Sequence, residues 1–536
     1  MKATLTCRMK PYIQPFERQL ALIELASVAG SEPLPLPTWN TEPIDYELVS
    51  DVPAEILADR LAYWEYIVDN QCYLTTQVLR EATVNIVRNG ISLEQIAKLV
   101  PFGQNVSLPN RRCLRYGTHS IHEYRGKFFP QLVRSLINTA KIPKQGIVAD
   151  PMSGSGTTVV EAVLAECHGL GQDINPLSVL MSQTKCALLS VRPEVLIRTY
   201  QDVREKLLNS IPGCSSAKLT YFSTLPMSDQ EYLVDWFSEQ VLHDLDQIAR
   251  VVHGLEGEPI RDLMRLSLSN IIRKVSWQKD DDLRVRKEVN VDVDIDPIKE
   301  FLEELGRAVR IVLAFLYQNQ GSKLGSFDVQ QGDAREAAKN WRKWLGEVDA
   351  VITSPPYATA LPYLDTDRLS LYYLGLLSRT EHHKRDQFMI GNREITEKAR
   401  QSYWKLFEEK KLNLPQSIVQ LIEKVEQLNS KVEVGFRRRN LPSLLAKYFL
   451  DMQEVFRNMA ELLKPGAPAY VVVGNNHTIA GGERVEIETA NLLTDVAKIV
   501  GLDPCVHIPM EMLVSRDIFK KNAMASEVIL SFRRPT

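Results

Sequence analysis

Two short stretches of this 536-residue chain place side chains and backbone groups in patterns that could do chemistry. One is Thr353-Ser354-Pro355-Pro356-Tyr357, entered from the apolar run "VDAVIT" (348–353). The paired prolines stop any strand or helix and hold the chain in a rigid, extended turn. Ser354 brings a hydroxyl, the prolines bring carbonyls with no intervening N–H, and Tyr357 brings an aromatic face. Fixed at the end of a buried strand, this set offers hydrogen-bond acceptors and a π-surface. Read blandly, it is only a Pro-Pro turn.

The other stretch is "VADPMSGSGTTVVEAVLAECHGLGQDINP" (148–176), which reads as strand, Gly-rich turn, helix and second strand. Gly154 and Gly156 let backbone approach a ligand closely, and Thr157 and Thr158 are placed to cap the helix. Asp173 stands 23 residues after Asp150, at the tip of the next strand. A carboxylate there accepts hydrogen bonds from ribose hydroxyls. No Gly-Lys-Ser/Thr follows the glycines, which argues against a triphosphate loop, and the dinucleotide fingerprint is incomplete. The remaining candidate is an adenosyl ligand without a pyrophosphate. The Asp150 carboxylate would repel phosphates and attract the ammonium of a methionyl group. An ordinary tight turn is the competing reading.

Short apolar runs between helical segments must position these loops. "GIVAD" (146–150), "HGLGQD" (168–173), "SFDVQQGD" (326–333), "VDAVIT" and "AYVVVG" (469–474) are bounded by turn formers, as in a mostly parallel α/β sheet. "SEVILSFRR" (526–534), close after "PCVHIPM", suggests a closing antiparallel pair. Residues 1 to about 110 read as mainly helical, through "FERQLALIELASVAG" and "AEILADRLAYWEYIVDN". Two stretches, 186–322 and 376–440, carry little strand signal; the second includes the charged helix "QSIVQLIEKVEQLNSKVEV". At this length two or three domains are expected.

Composition narrows the class. With 64 basic and 67 acidic residues the formal charge is −3, which disfavours a general nucleic-acid coat but permits a local basic groove. The N-terminal residues lack the apolar core of a signal peptide, and no uncharged apolar run is long enough for a bilayer, so no membrane association is expected. The 7 cysteines form no CxxC pair. They read as reduced thiols of a cytoplasmic protein, with neither a disulfide framework nor a metal site.

"DPMSGSGTT" with "GQDINP", followed by "TSPPY", resembles the family of amino-methyltransferases that modify exocyclic amines of DNA bases using S-adenosyl-L-methionine. "THSIHEYRGKFFPQLVRSLI" (118–137) is similar to the family's cofactor-side segment, and "LLKPGAPAYVVVGN" (462–475) to its later strand. The resemblance implies a Rossmann-like methyltransferase sheet with an antiparallel closing strand and S-adenosyl-L-methionine as cofactor. It would place Asp150, Pro151, Ser153, Gly154, Ser155, Gly156, Thr157 and Thr158 in the cofactor loop, with Asp173 and Ile174 at the ribose. Lys127, Phe128 and Phe129 would line the methionine pocket, and Asp333 with Ala334 would meet the adenine amino group. For Asp333 a helix N-cap is the alternative, and the two roles are compatible. His122 and Tyr124 lie in the same methionine-side segment. The implied partition is a helical N-terminal region (1–110), a cofactor half (111–185), a helical insertion (186–322), a catalytic half (323–375), a charged helical insertion (376–440) and C-terminal strands (441–536). The 137-residue interruption at 186–322 departs from the family pattern.

The same resemblance makes Ser354, Pro355, Pro356 and Tyr357 the catalytic loop. Methylating an aromatic amine requires its nitrogen lone pair to be withdrawn from the ring. The Ser354 hydroxyl and the Pro355 carbonyl can take the two amine hydrogens, and Tyr357 can stack on a base extruded from double-stranded DNA. Ser, where Asp or Asn is common, favours cytosine N4 over adenine N6. The segment 261–287 has eight basic and four acidic residues, and Arg273, Lys274, Trp277, Arg284 and Arg286 suit phosphate contacts. Arg437, Arg438 and Arg439 in "GFRRRN" form a second candidate, read as lying between segments, and "EHHKRDQF" (381–388) a third; solvated helix faces are the alternative. A companion restriction endonuclease is an expected partner. The competing functions are methylation of an RNA guanine amine on the same fold and a non-catalytic binding subunit.

Overall fold

The structure is a computed structural model that describes residues 2–37, 42–87, 90–102, 106–124, 126, 129–209, 218–279, 286–289, 295–358, 363–392, 395–510 and 527–536. The N-terminal region carries the helices Pro15–Ala29 and Ala54–Arg60, in the two windows read as helical, and also Thr76–Val87. It also carries an antiparallel sheet that the helical reading omits. Its strands are β1 (Ala3–Met9), β2 (Leu34–Pro35), β3 (Asp45–Ser50), β4 (Trp64–Val68) and β5 (Cys72–Leu74), in the order β2-β3-β1-β4-β5. The window "AEILADRLAYWEYIVDN" splits: it is helical to Arg60, extended at Leu61 and strand from Trp64. The switch follows its composition, because Trp, Tyr, Ile and Val in close succession suit a pleated surface better than a helix.

The second sheet contains every strand read from the sequence. Its parallel strands are β6 (Ile147–Asp150), β7 (His168–Asp173), β8 (Ser326–Gln331), β9 (Ala350–Thr353) and β10 (Pro468–Gly474). A separate hairpin, β11 (Asn476–Ala480) with β12 (Glu483–Ile487), follows. β13 (Asp503–Pro504), β14 (Ile508–Met510) and β15 (Glu527–Arg533) then close the sheet, β15 running antiparallel beside β10. The order is β13-β15-β10-β9-β6-β7-β8, with β14 also on β15. From β6 the chain moves outward to β7 and β8, then returns to the other side of β6 as β9. That reversal is a topological switch point, where open α/β sheets form a crevice at the carboxyl ends of their strands.

The central strands β6, β9 and β10 are buried on both faces, with successive residues facing opposite cores. Ile147, Ala149, Val351 and Val471 pack toward the helices Gln416–Ser430, Phe436–Leu462 and Thr489–Ile499. Val148, Ala350, Ile352 and Val472 pack with residues of Pro15–Ala29 and Pro130–Thr139, so the N-terminal region shares a core with the sheet. The Lys10–Glu81 ion pair (2.7 Å), almost fully buried, also joins these parts, since the Gln77 and Gln131 amides donate to the same carboxylate. The described residues of 186–322 are largely helical and share a core with Leu177, Met181, Leu369, Tyr372 and Tyr373. One placement differs from the sequence reading. "GFRRRN" does not lie between segments; Gly435 is the N-cap of Phe436–Leu462, and the three arginines occupy its first turn. No helix among the described residues is long and apolar enough to cross a membrane.

Candidate active site

The glycine loop leaves β6 and the TSPPY loop leaves β9, adjacent parallel strands at the switch point. Asp150 and Thr353, the last residues of the two strands, are joined by a 2.7 Å hydrogen bond from the Thr353 hydroxyl to Asp150 Oδ1. Beyond them lies a cavity of about 250 Å³, walled by both loops. It is lined by Pro151, Ser153, Gly154, Ser155 and Thr157 of the glycine loop, by Asp173, Ile174, Asp333 and Ala334 at or just beyond the ends of β7 and β8, and by Ser354, Pro355, Pro356 and Tyr357 of the TSPPY loop. Loops far apart in the chain thus meet in one concave, largely apolar space with a few polar groups.

Asp173 sits partly exposed at the cavity, where Oδ2 accepts from the Gly154 N–H (2.8 Å) and Oδ1 from the Asn175 N–H (2.8 Å). Burial pushes its carboxyl up to about 6, partly countered by these backbone donors. Gly154 has φ +49, and a Cβ there would come within 3.0 Å of the Tyr124 hydroxyl, so this glycine keeps the loop close to the cavity. Gly156 differs. Its φ is +82, and a Cβ would meet Ser182 at 2.6 Å, so its lack of a side chain serves helix packing. Nor do the threonines cap the helix. Gly156 is the N-cap, Thr157 and Thr158 are already inside the helix, and the Thr158 hydroxyl donates to the Ile352 carbonyl (3.1 Å). The Ser153 and Ser155 hydroxyls are buried with no hydrogen-bond partner among the described residues.

Asp150 stands behind the cavity wall. It is fully buried, accepts from Thr353 and from the Met152 N–H (3.1 Å), and ties the two loops together. Burial pushes its carboxyl up to about 6. Asp333 is both a cap and a cavity residue, accepting from the Arg335 N–H (2.9 Å) and from the Arg335 guanidinium (3.0 and 2.5 Å). Burial opposes its charge, but the bonds and charge of Arg335 outweigh it and hold the carboxyl below its ordinary range. Phe129 lines the cavity, whereas Lys127 and Phe128 lie outside the described residues.

In the TSPPY loop the Ser354 hydroxyl donates to the Val472 carbonyl (3.1 Å), which leaves its oxygen lone pairs to accept. The Tyr357 hydroxyl donates to Glu527 Oε1 (2.8 Å). Glu527 and Met510 line the cavity from the closing strands, and neither stands near a motif in the sequence.

The sequence reading also misses Phe388, Met389 and Ile390, which wall the cavity from the second insertion. The backbone of Phe388 and Met389 is held by two cations, one of them buried. Arg335 donates to the Phe388 carbonyl (2.9 Å) and Lys447 to the Met389 carbonyl (3.0 Å), and Asp451 binds both cations. The first part of 376–440 therefore encloses the cavity. Only the run "DQFMI" hinted at this, because an apolar triplet in so charged a segment needs a place to be buried.

Among the described residues none of the basic side chains of the three candidate segments lines the cavity, although "EHHKRDQF" reaches it through Phe388. Arg273 and Lys274 end the helix Glu258–Val275, Arg273 donating to the Lys279 carbonyl (2.8 Å) and Lys274 pairing with Glu300 (2.6 Å). The Lys287 ammonium lies 5.0 Å from the Trp277 ring centroid, and Arg286 is exposed. Arg284 falls outside the described residues. Arg437, Arg438 and Arg439 are all exposed. His122 is structural in its contacts, with Nε2 2.9 Å from the buried Ser269 hydroxyl. Among the described residues no group of three or more His, Cys, Asp or Glu could hold a metal ion.

No protein-family model matches the chain. Over 432 residues it is 23% identical to the type II methyltransferase M.BsoBI of Geobacillus stearothermophilus, covering 74% of this chain and 82% of that protein. It is 27% identical over 295 residues to the type II methyltransferase M.MvaI of Kocuria varians, 52% of this chain and 62% of that one. The chain is a homologue of type II methyltransferases. Among solved structures, TTHA0409 of Thermus thermophilus in complex with S-adenosyl-L-methionine is 20% identical, with a TM-score of 0.15 over 17% of this chain and 38% of that one. In this homologue the cofactor-type loop and the TSPPY loop share one cavity at the switch point.

Proposed function

We propose that this homologue is an S-adenosyl-L-methionine-dependent DNA methyltransferase of a restriction–modification system, acting on the exocyclic amine of an extruded base, cytosine N4 in preference to adenine N6. The observation that carries this reading is the single cavity shared by the glycine loop, Asp173 and the TSPPY loop. The residues fit the cofactor. Asp173 meets a ribose, Ile174 and the Phe388–Ile390 wall offer apolar surface to an adenine, and the unmet Ser153 and Ser155 hydroxyls supply donors near the glycine turn. When bound, the cofactor supplies an activated methyl group. Ser354 Oγ and the Pro355 carbonyl accept the amine hydrogens and so localise the nitrogen lone pair, while the Tyr357 ring supports the base. Ser in the first motif position supports cytosine, as the sequence reading argued. The exposed arginines 437–439, with Arg273 and Lys274, suit phosphate contacts, and double-stranded DNA is the substrate on this reading. A companion endonuclease accompanies such an enzyme.

The test is transfer of an isotopically labelled methyl group to unmethylated double-stranded DNA, followed by nucleoside mass spectrometry. Label in N4-methylcytosine is expected. Label in N6-methyladenine would overturn the base assignment alone, and label only in RNA guanine would overturn the DNA reading.

A further inference from the structure

The catalytic end of the cavity has a carboxylate that no motif announces. Among the described lining residues the carboxylates are Asp173, Asp333 and Glu527, and Glu527 is hydrogen-bonded to the TSPPY loop. It is the first residue of β15, opposite Gly474 of β10 and Met510 of β14 in the sheet register, so backbone pairing on both sides fixes its position. Its Oε1 accepts the Tyr357 hydroxyl at 2.8 Å, which pins the side chain beside the loop that would hold the base.

We infer that Glu527 supplies the negative charge that balances the cation formed on the target amine, and that it receives the proton this amine must lose. This rests on the functional reading above. In the transfer the amine lone pair forms a bond to the methyl carbon while the methyl–sulfur bond breaks and its electron pair returns to sulfur. The nitrogen, now bonded to the ring, the methyl and two hydrogens, carries a positive charge. One of these two hydrogens leaves the acceptor that held it, Ser354 Oγ or the Pro355 carbonyl, neither of which can keep a proton, and passes to the Glu527 carboxylate and from there to water, leaving a neutral methylamine. A carboxylate fixed in a largely apolar cavity acts more strongly on such a charge than one in water, and it needs no reorganisation as the charge develops.

Glu527→Gln separates this role from simple support of the tyrosine, because its amide oxygen still accepts the Tyr357 hydroxyl but carries no charge. Glu527→Asp keeps the charge on a shorter arm. Single-turnover transfer of labelled methyl groups to unmethylated double-stranded DNA is measured for each protein, with cofactor affinity, DNA affinity and melting temperature as controls. The expected result is a rate about 10- to 100-fold lower in Glu527→Gln with controls unchanged, and a rate in Glu527→Asp between that and wild type. A Gln variant at the wild-type rate, or Gln and Asp variants equally slow, would overturn the role while leaving the DNA reading intact. A wild-type protein that transfers nothing to DNA overturns both.

Discussion

Replacing Asp173 by Asn exchanges one carboxylate oxygen for an amide nitrogen at a residue where each oxygen already accepts one backbone N–H. Asp173 lines the cavity, where ribose hydroxyls would donate to its remaining lone pairs. A hydrogen bond to a charged acceptor contributes about 1.5–3 kcal/mol, so the variant should bind S-adenosyl-L-methionine roughly 10- to 150-fold more weakly. The pH dependence is the sharper signature. Burial pushes the Asp173 carboxyl up to about 6, above its ordinary value of 3.8. The ionised acceptor is then lost as pH falls through about 6, and wild-type affinity should weaken about tenfold between pH 7 and pH 5. The stability of the ligand-free protein moves the other way. A carboxyl raised by folding contributes stability that is fully present below its ordinary value and is lost as pH rises through about 6. Titration calorimetry at several pH values, with melting temperatures alongside, reads both trends. Asp150 is pushed up to about 6 as well, and the Asn variant separates the two because only the Asp173 part of the slope disappears. A wild-type affinity independent of pH, or an Asn variant with the wild-type slope, would refute the argument.

Further outcomes follow from the same geometry. Ser354→Ala removes an acceptor that matters most as the amine rehybridises, so single-turnover transfer should fall about 100-fold while DNA affinity stays close to wild type in a retention assay. Gly391→Ala puts a Cβ 2.6 Å from the Tyr357 carbonyl oxygen at a φ of +76, which forces the TSPPY loop to shift. Transfer should slow at least about tenfold with cofactor affinity little changed, since a misplacement of about 1 Å at a reacting centre is costly. Charge reversal at Arg437, Arg438 and Arg439 should weaken DNA binding and flatten its dependence on salt while leaving cofactor calorimetry unchanged.

The sheet was legible because its strands are short runs between turn formers, several of them rich in Val and Ile, and the two loops were legible because closely spaced glycines and paired prolines restrict what the backbone can do. Gly154 and Gly156 shared one motif yet serve different ends, which only the position of Ser182 reveals. The N-terminal sheet was hidden because β1, β3 and β4 are short runs set between helices, and pairing between strands some 40 residues apart leaves little local signal. Glu527 and the Phe388–Ile390 wall were hidden for another reason. Their role comes from where β15 and the Asp451-bound cations place them, a long-range consequence of packing.

The most direct measurement of the central claim is single-molecule sequencing of DNA from a host expressing the wild-type protein beside one expressing Ser354→Ala. One sequence context carrying a methylated exocyclic amine, cytosine N4 on this account, is expected in the first host and should be absent from the second. Unmodified DNA in both hosts, or the same modification in both, would contradict the assignment of this cavity as a DNA methyltransferase active site.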